Sequence, residues 1–274
     1  DVVWSWSTFE HFNIIDYDHN TWNTVIPFND GYYDWTHINA FYFDERDNSI
    51  YISVRNLSRI TKLQYPSGDI IWNMGRESAS GDVTFGHDLD FSWQHSISLT
   101  DEDNILIFDN GNYSGEFWGQ DSTSRALEIS VSESGGEYSA DIAWQYILPD
   151  SLYGSESGNV QKLLNGNYLI TTVGNNGTTL EVTSAGDLVW EANYGTNFIY
   201  RANRIPLCLK KIGEINGDGG FNVQDVVLLV NCILVENCDE LEHSCTADLN
   251  GDGGFNVADV VILVQCVLQD NCDG

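Results

Sequence analysis

Between residues 36 and 193 the chain is a succession of short runs in which apolar and polar positions alternate, each closed by Asn, Asp, Gly or Ser. A period of two is the pattern of half-buried strands. Three sets of four strands are predicted: residues 36–44, 49–55, 59–65 and 69–74; then 94–101, 104–110, 124–132 and 141–147; then 158–164, 167–173, 178–184 and 187–193. A tetrapeptide marks each fourth strand, DIIW at 69–72, DIAW at 141–144 and DLVW at 187–190, and DVVW stands alone at 1–4. Four-stranded units repeating at this interval predict a mainly β fold, a β-propeller; a β-sandwich leaves the recurrent tryptophan unexplained. Residues 1–7 and 197–205 read as single strands of further blades. Propellers close with about 4–8 blades, so the expectation is an incomplete propeller, its other blades upstream or supplied by another chain.

After residue 207 the period changes. Val223, Val226, Val227, Val230 and Ile233 recur at helical spacing, and so do Val257, Val260, Val261, Val264 and Val267. Two domains are therefore expected, 1–207 and a small helical one at 208–274. Each predicted helix follows a copy of one segment, NGDGGFNVQD at 216–225 and NGDGGFNVAD at 250–259, with an acidic residue two positions earlier. Side-chain oxygens then fall at positions 1, 3, 5, 9 and 12 of an EF-hand-like loop, with glycine at position 6 for the sharp turn. The predicted ligands are Glu214, Asn216, Asp218, Asn222 and Asp225 with the Gly220 carbonyl, and Asp248, Asn250, Asp252, Asn256 and Asp259 with the Gly254 carbonyl. Oxygen donors suit a hard cation, and two Ca²⁺ ions are expected. Isolated Asn-Gly and Asp-Gly turns are the simpler alternative, but duplication of the whole pattern weighs against it.

Composition adds three points. Tyr 13, Phe 12, Trp 9 and Gly 25 agree with an all-β bulk. A net charge of −30 disfavours nucleic acid and anionic membrane surfaces as partners, and no apolar run reaches the length that spans a bilayer. All six cysteines, Cys208, Cys232, Cys238, Cys245, Cys266 and Cys272, lie in the small domain. That density reads as disulfides, with Cys232–Cys238, Cys266–Cys272 and Cys208–Cys245 the expected pairs; zinc is disfavoured because no CxxC occurs. The expected location is extracellular. The first residue is Asp1, with neither an initiator Met nor a signal peptide, and the chain is expected to be a processed or excised form.

The region from about 208 to 274 resembles dockerins, the paired loop-helix modules that attach secreted proteins to cohesins; both loops end in Asp, as dockerin loops do. The resemblance implies a cohesin-like partner. Glu214 in place of the usual Asp marks the first site as the weaker, and Val223-Gln224 and Val257-Ala258 replace the hydroxyl residues that carry partner specificity, which leaves the partner open. Residues 1–205 resemble the arylsulfotransferase propeller family through DWTHIN at 34–39, IYISVR at 50–55, WQH at 93–95, IFDNG at 107–111, SRA at 124–126 and NGNYLI at 165–170. That family moves a sulfuryl group between phenols through a histidine, and the resemblance makes His37, His95 and Arg125 sulfate-binding groups. The sulfated histidine has no match, since none lies between His95 and His243 and the corresponding strand reads SGNV at 157–160. The leading expectation is a secreted, self-assembling structural or adhesive protein; the others are a surface-displayed aryl sulfotransferase and a ligand-binding propeller with exposed Trp22, Trp35 and Trp118.

Overall fold

A computed structural model describes residues 2–17, 34–118, 122–163, 165–196, 199–205, 211–241 and 243–269. The chain divides into two compact units, Asp1–Arg204 and Ile205–Gly274.

Among its described residues the first unit holds three four-stranded antiparallel sheets, each in sequence order. They are β1 (Ile38–Asp44), β2 (Ser49–Val54), β3 (Arg59–Gln64) and β4 (Ile70–Gly75); β5 (His95–Leu99), β6 (Ile105–Asp109), β7 (Arg125–Ser134) and β8 (Glu137–Ile147); and β9 (Asn159–Lys162), β10 (Tyr168–Thr172), β11 (Thr178–Val182) and β12 (Leu188–Asn193). These are the blades of a propeller. The middle blade extends beyond its predicted limits, because β7 and β8 continue to a two-residue turn at Gly135 and Gly136, both at positive φ.

The middle blade is buried on both faces. Ile105, Ile107, Leu127 and Ile129 pack against Tyr51, Ile60, Trp72 and Met74 of the first blade. The alternate residues Leu106, Phe108 and Ala126 pack against Val160, Tyr168, Ile170 and Leu180 of the third. The outer face of the first blade is covered by Phe12 and Trp35, with Trp4 and Trp6 beside them. Trp35 is thus a core residue, 3% exposed, and not the open ligand platform its sequence context implied. Trp22 and the Trp118 side chain lie outside the described residues.

The two lone strands are corrected. Residues 2–7 form no strand; the indole N–H groups of Trp4 and Trp6 instead donate to Pro66 O (2.9 Å) and Gly68 O (3.0 Å) in the β3–β4 turn. Residues 199–205 form none either. Asn159 exchanges two bonds with Ala202, Nδ2 to O and N to Oδ1, both 2.9 Å, and Gln161 does the same with Arg204 at 3.0 and 2.8 Å. A carboxamide carries the same donor–acceptor pair as a peptide, so it replaces ladder pairing with the segment held one side chain away from β9.

The second unit contains α1 (Val223–Val235) and α2 (Val257–Gln269) around Leu229, Leu263, Ile215 and Ala247. The predicted apolar stripes divide: Val226, Ile233, Val260 and Val267 pack inward, while Val223, Val227, Val257 and Val261 face solvent. Cys232 is bonded to Cys238 as the spacing predicts. Cys245 and Cys266 are also disulfide-bonded, and Cys208 and Cys272 lie outside the described residues. No helix among the described residues is long and apolar enough to cross a membrane.

Arg59 and Asp16, both 1% exposed, form a buried pair at 2.8 Å, and Asp16 also accepts from Ser80 N and Oγ. Removing one charge from a buried pair strands the other. Asp16→Asn is expected to destabilise the first unit by about 3 kcal/mol, read as a lowered urea midpoint at pH 7; an unchanged midpoint contradicts the role given to this pair.

Candidate functional site

The two loops of the second unit repeat one hydrogen-bond scheme. Asp225 is fully buried; its Oδ1 accepts from Ile215 N (2.8 Å) and Asn216 N (3.0 Å), and its Oδ2 from Asn222 N (2.9 Å). Asp259, equally buried, accepts from Leu249 N (2.9 Å), Asn250 N (3.2 Å) and Asn256 N (2.9 Å). Each carboxylate closes its loop like a clasp, and Asp225 with Asn222 also forms the capping box of α1. Within the loops, Asn216 Oδ1 accepts from Asp218 N and Asn250 Oδ1 from Asp252 N, both 2.8 Å. Asp218 and Asp252 accept in turn from Gly220 N (2.9 Å) and Gly254 N (2.8 Å), and these bonds hold both carboxyls below their usual range. Gly219 and Gly253 take the positive φ that position 6 demands, 88° and 85°.

The opening acids differ. Glu214 is buried, 2% exposed, with Oε1 accepting from Gly219 N at 3.1 Å. Asp248 is more open and accepts from Gly251 N (2.8 Å) and Gly253 N (3.0 Å). No group of three or more His, Cys, Asp or Glu side chains is gathered for a metal among the described residues. A cation held here would therefore draw on the Asn216, Asn222, Asn250 and Asn256 amide oxygens and the Gly220 and Gly254 carbonyls as well as the carboxylates. The donors the loops offer are all oxygens, the type a hard divalent cation such as Ca²⁺ takes.

The second candidate site lies in the first unit, where β1, β5 and β9 lead their blades. His37 stands just before β1 at φ 51°, with Nδ1 paired to the Asp34 carboxylate. His95 opens β5 and is 4% exposed. Its Nδ1 faces two acceptors, Asn110 Oδ1 at 2.7 Å and Trp93 O at 3.2 Å. The Asn110 amide is oriented by its Nδ2, which donates to Gly154 O (2.7 Å) and Ser157 O (3.1 Å). Nδ1 therefore carries the proton, and Nε2 keeps the lone pair. Burial draws this imidazole down to about 4 from its ordinary 6.5, and the charges of Arg55 and His37 add to the pull against the Asn110 bond. The structure thus brings His37 and His95 within electrostatic reach of each other.

Arg125 is not part of that pair. Its Nε binds the buried Asp109 at 2.8 Å, Nη1 donates to Gln145 Oε1 at 2.8 Å, and Nη2 donates to Leu89 O. Asp109 is raised by its burial, an effect Arg125 opposes. The cation beside His95 is Arg55, which stacks over Trp93 at 3.9 Å and donates to Asn56 Oδ1 at 2.8 Å. Arg55 and Asn110 both lie inside quoted motifs, IYISVR and IFDNG, but only their placement reveals that they serve His95. At SGNV, a Cβ on Gly158 would stand 2.7 Å from the Phe108 ring, so no side chain fits there.

Three propeller blades preceding a pair of loop-helix repeats define a two-module chain, and comparison with known families agrees. The chain belongs to the arylsulfotransferase (ASST) family, which matches residues 1–215; the dockerin type I domain matches residues 212–268. No curated protein matches the sequence. Among solved structures, a protein of unknown function from Bacteroides caccae is 13% identical with a TM-score of 0.37, covering 61% of this chain and 48% of that one. A catalytically inactive virginiamycin B lyase from Staphylococcus aureus with quinupristin is 12% identical with a TM-score of 0.36, covering 60% and 43%. BamB from Moraxella catarrhalis is 14% identical with a TM-score of 0.33, covering 57% and 37%. The chain spans less than half the length of each of these structures.

The His95 geometry carries a pH signature. The unfolded imidazole takes its proton near 6.5 and the folded one only near 4, so stability is whole above 6.5 and falls as pH drops towards 4. Between pH 7 and pH 5 the loss attributable to His95 is about 2 kcal/mol. Urea unfolding of wild type and His95→Gln at both pH values checks it; parallel losses in the two proteins contradict the assignment.

Proposed function

We propose that this chain is a secreted assembly component: its second unit, loaded with two Ca²⁺ ions, docks to a cohesin-type partner, and its propeller is the scaffold thereby displayed. One observation carries the reading. The loops share one bonding scheme, and their helices leave matching apolar residues in solvent: Val223 and Val257 (66% and 69% exposed), Val227 and Val261 (51% and 48%), Leu234 and Leu268 (75% and 80%). Spacings of four and seven place each trio on one helix face. The dockerin match supplies the partner class, and the oxidised cysteines support an extracellular location. Self-association belongs to the same proposal: with a net charge of −30, copies repel unless calcium or salt screens them, so assembly is expected to require one or the other.

A second reading, sulfuryl transfer, rests on the neutral His95 beside Arg55: the family's sulfated histidine has no match in this chain, and His95 takes that role in place of sulfate binding. The Nε2 lone pair attacks the sulfur of an aryl sulfate, and the S–O bond breaks with its electron pair leaving on the phenolate oxygen. A second phenol's oxygen then attacks that sulfur, its proton passing to solvent, and the N–S bond breaks with its electron pair returning to Nε2. Arg55 and His37 stabilise the sulfuryl oxygens, while Arg125 holds β6 to β8 in place instead of touching sulfate. Transfer from 4-nitrophenyl sulfate to phenol that is lost in His95→Gln supports this reading; no transfer by the wild type excludes it.

Calcium removal tests the main proposal. At a hundred- to thousandfold excess over Kd, binding stabilises the second unit by about 3–4 kcal/mol, so a chelator should lower its melting temperature and release an immobilised type I cohesin. Val223→Asp with Val257→Asp should weaken that capture about tenfold or more, and either change alone should do less because the other face remains. Capture that is indifferent to chelator and to both substitutions defeats the proposal.

A further inference from the structure

The two calcium loops are nearly identical in sequence, yet their surroundings are not. His243 packs on the first loop so closely that a Cβ on Gly217 would stand 2.6 Å from its Nε2, whereas one on the matching Gly251 would meet nothing within 4 Å. Thr246, fully buried, directs its hydroxyl to Glu214 O at 3.1 Å and to His243 O at 2.8 Å. Its own carbonyl accepts from Gly213 N at 2.7 Å. The segment joining the two repeats therefore holds the backbone at Gly213 and Glu214, and Glu214 is 2% exposed while Asp248 is not buried. Cys245, inside this segment, is disulfide-bonded.

We propose that Thr246 and His243 are positioning residues for the first calcium site: they fix Glu214 and the turn at Gly217 before the ion arrives, and so make the first site tighter than its own loop sequence would. The second loop has no equivalent support among the described residues. A ligand set held in place loses less conformational freedom on binding, so the brace acts on affinity, and it offsets the handicap of a longer acid at position 1. The inference rests on the calcium reading above but separates from it experimentally.

The test is calorimetric titration of CaCl₂ into the full chain, with each site isolated by removing the other: Asp252→Ala leaves the first, Asp218→Ala the second. Thr246→Val, which keeps the shape and removes the hydroxyl, should weaken the first site roughly three- to tenfold and leave the second unchanged. Thr246→Ser should restore the first. Gly217→Ala should weaken the first site more than Gly251→Ala weakens the second, since both carry positive φ (79° and 72°) but only Gly217 meets a neighbour. His243→Ala should then relieve Gly217→Ala and have no effect on Gly251→Ala. Equal shifts at both sites, a serine no better than valine, or no relief by His243→Ala overturns the inference. If Thr246→Val unfolds the second unit, the glycine pair decides alone. A wild type that binds no calcium removes the calcium reading itself, a different result from binding that ignores the brace.

Discussion

Burial of the middle blade on both faces is the constraint on which the first unit depends. Side chains alternate along a strand, so β6 and β7 present apolar groups to neighbours on either side: Ile105, Ile107, Leu127 and Ile129 one way, Leu106, Phe108 and Ala126 the other, with the buried Glu128 accepting from the Tyr168 hydroxyl. Each of the Ile, Leu and Phe side chains contributes about 1.5–3 kcal/mol when fully buried. Stacking the blades this closely also shapes the axis. It removes water from His95, where Asn110 then fixes the tautomer, and it presses the start of β9 against Phe108, leaving room only for Gly158. The same packing that stabilises the propeller thus keeps one imidazole neutral and denies a side chain at Gly158.

In the second unit the corresponding elements are Asp225 and Asp259. A fully buried carboxylate is tolerated because three backbone N–H groups point at it. Each ties the first residues of its loop to the first turn of its helix, so loop and helix cannot move independently. The remaining carboxylates of each loop accept from backbone N–H groups, in a chain that already carries a net charge of −30. In the proposed reading, a bound divalent cation would offset that negative charge where the exposed valine faces begin, linking ion binding to the docking surface.

The twelve strands among the described residues were legible because alternation and turn residues agree along the propeller region, and the paired loop-helix units because a duplicated motif is hard to reach by chance. Cys232 to Cys238 was legible from its short spacing. What escaped were contacts in which a side chain replaces a backbone. The indoles of Trp4 and Trp6 and the carboxamides of Asn159 and Gln161 hold segments that read as strands but form none. Helical spacing alone did not separate inward from outward valines, since α1 and α2 are apolar on more than one face. Arg125 and Arg55 show the same limit at the site: both lie in family motifs, but only placement shows that Arg125 is engaged by Asp109 while Arg55 stands beside His95.

The central claim is that the duplicated loops hold the ions on which attachment depends. Anomalous diffraction from crystals of the full chain grown with CaCl₂ tests it most directly. The account predicts two peaks, one in each loop, with oxygens of Glu214, Asp218 and Asp225 around the first and of Asp248, Asp252 and Asp259 around the second, at about 2.3–2.6 Å. Loops without a peak in calcium-grown crystals, or ions bound elsewhere on the acidic surface, would contradict it.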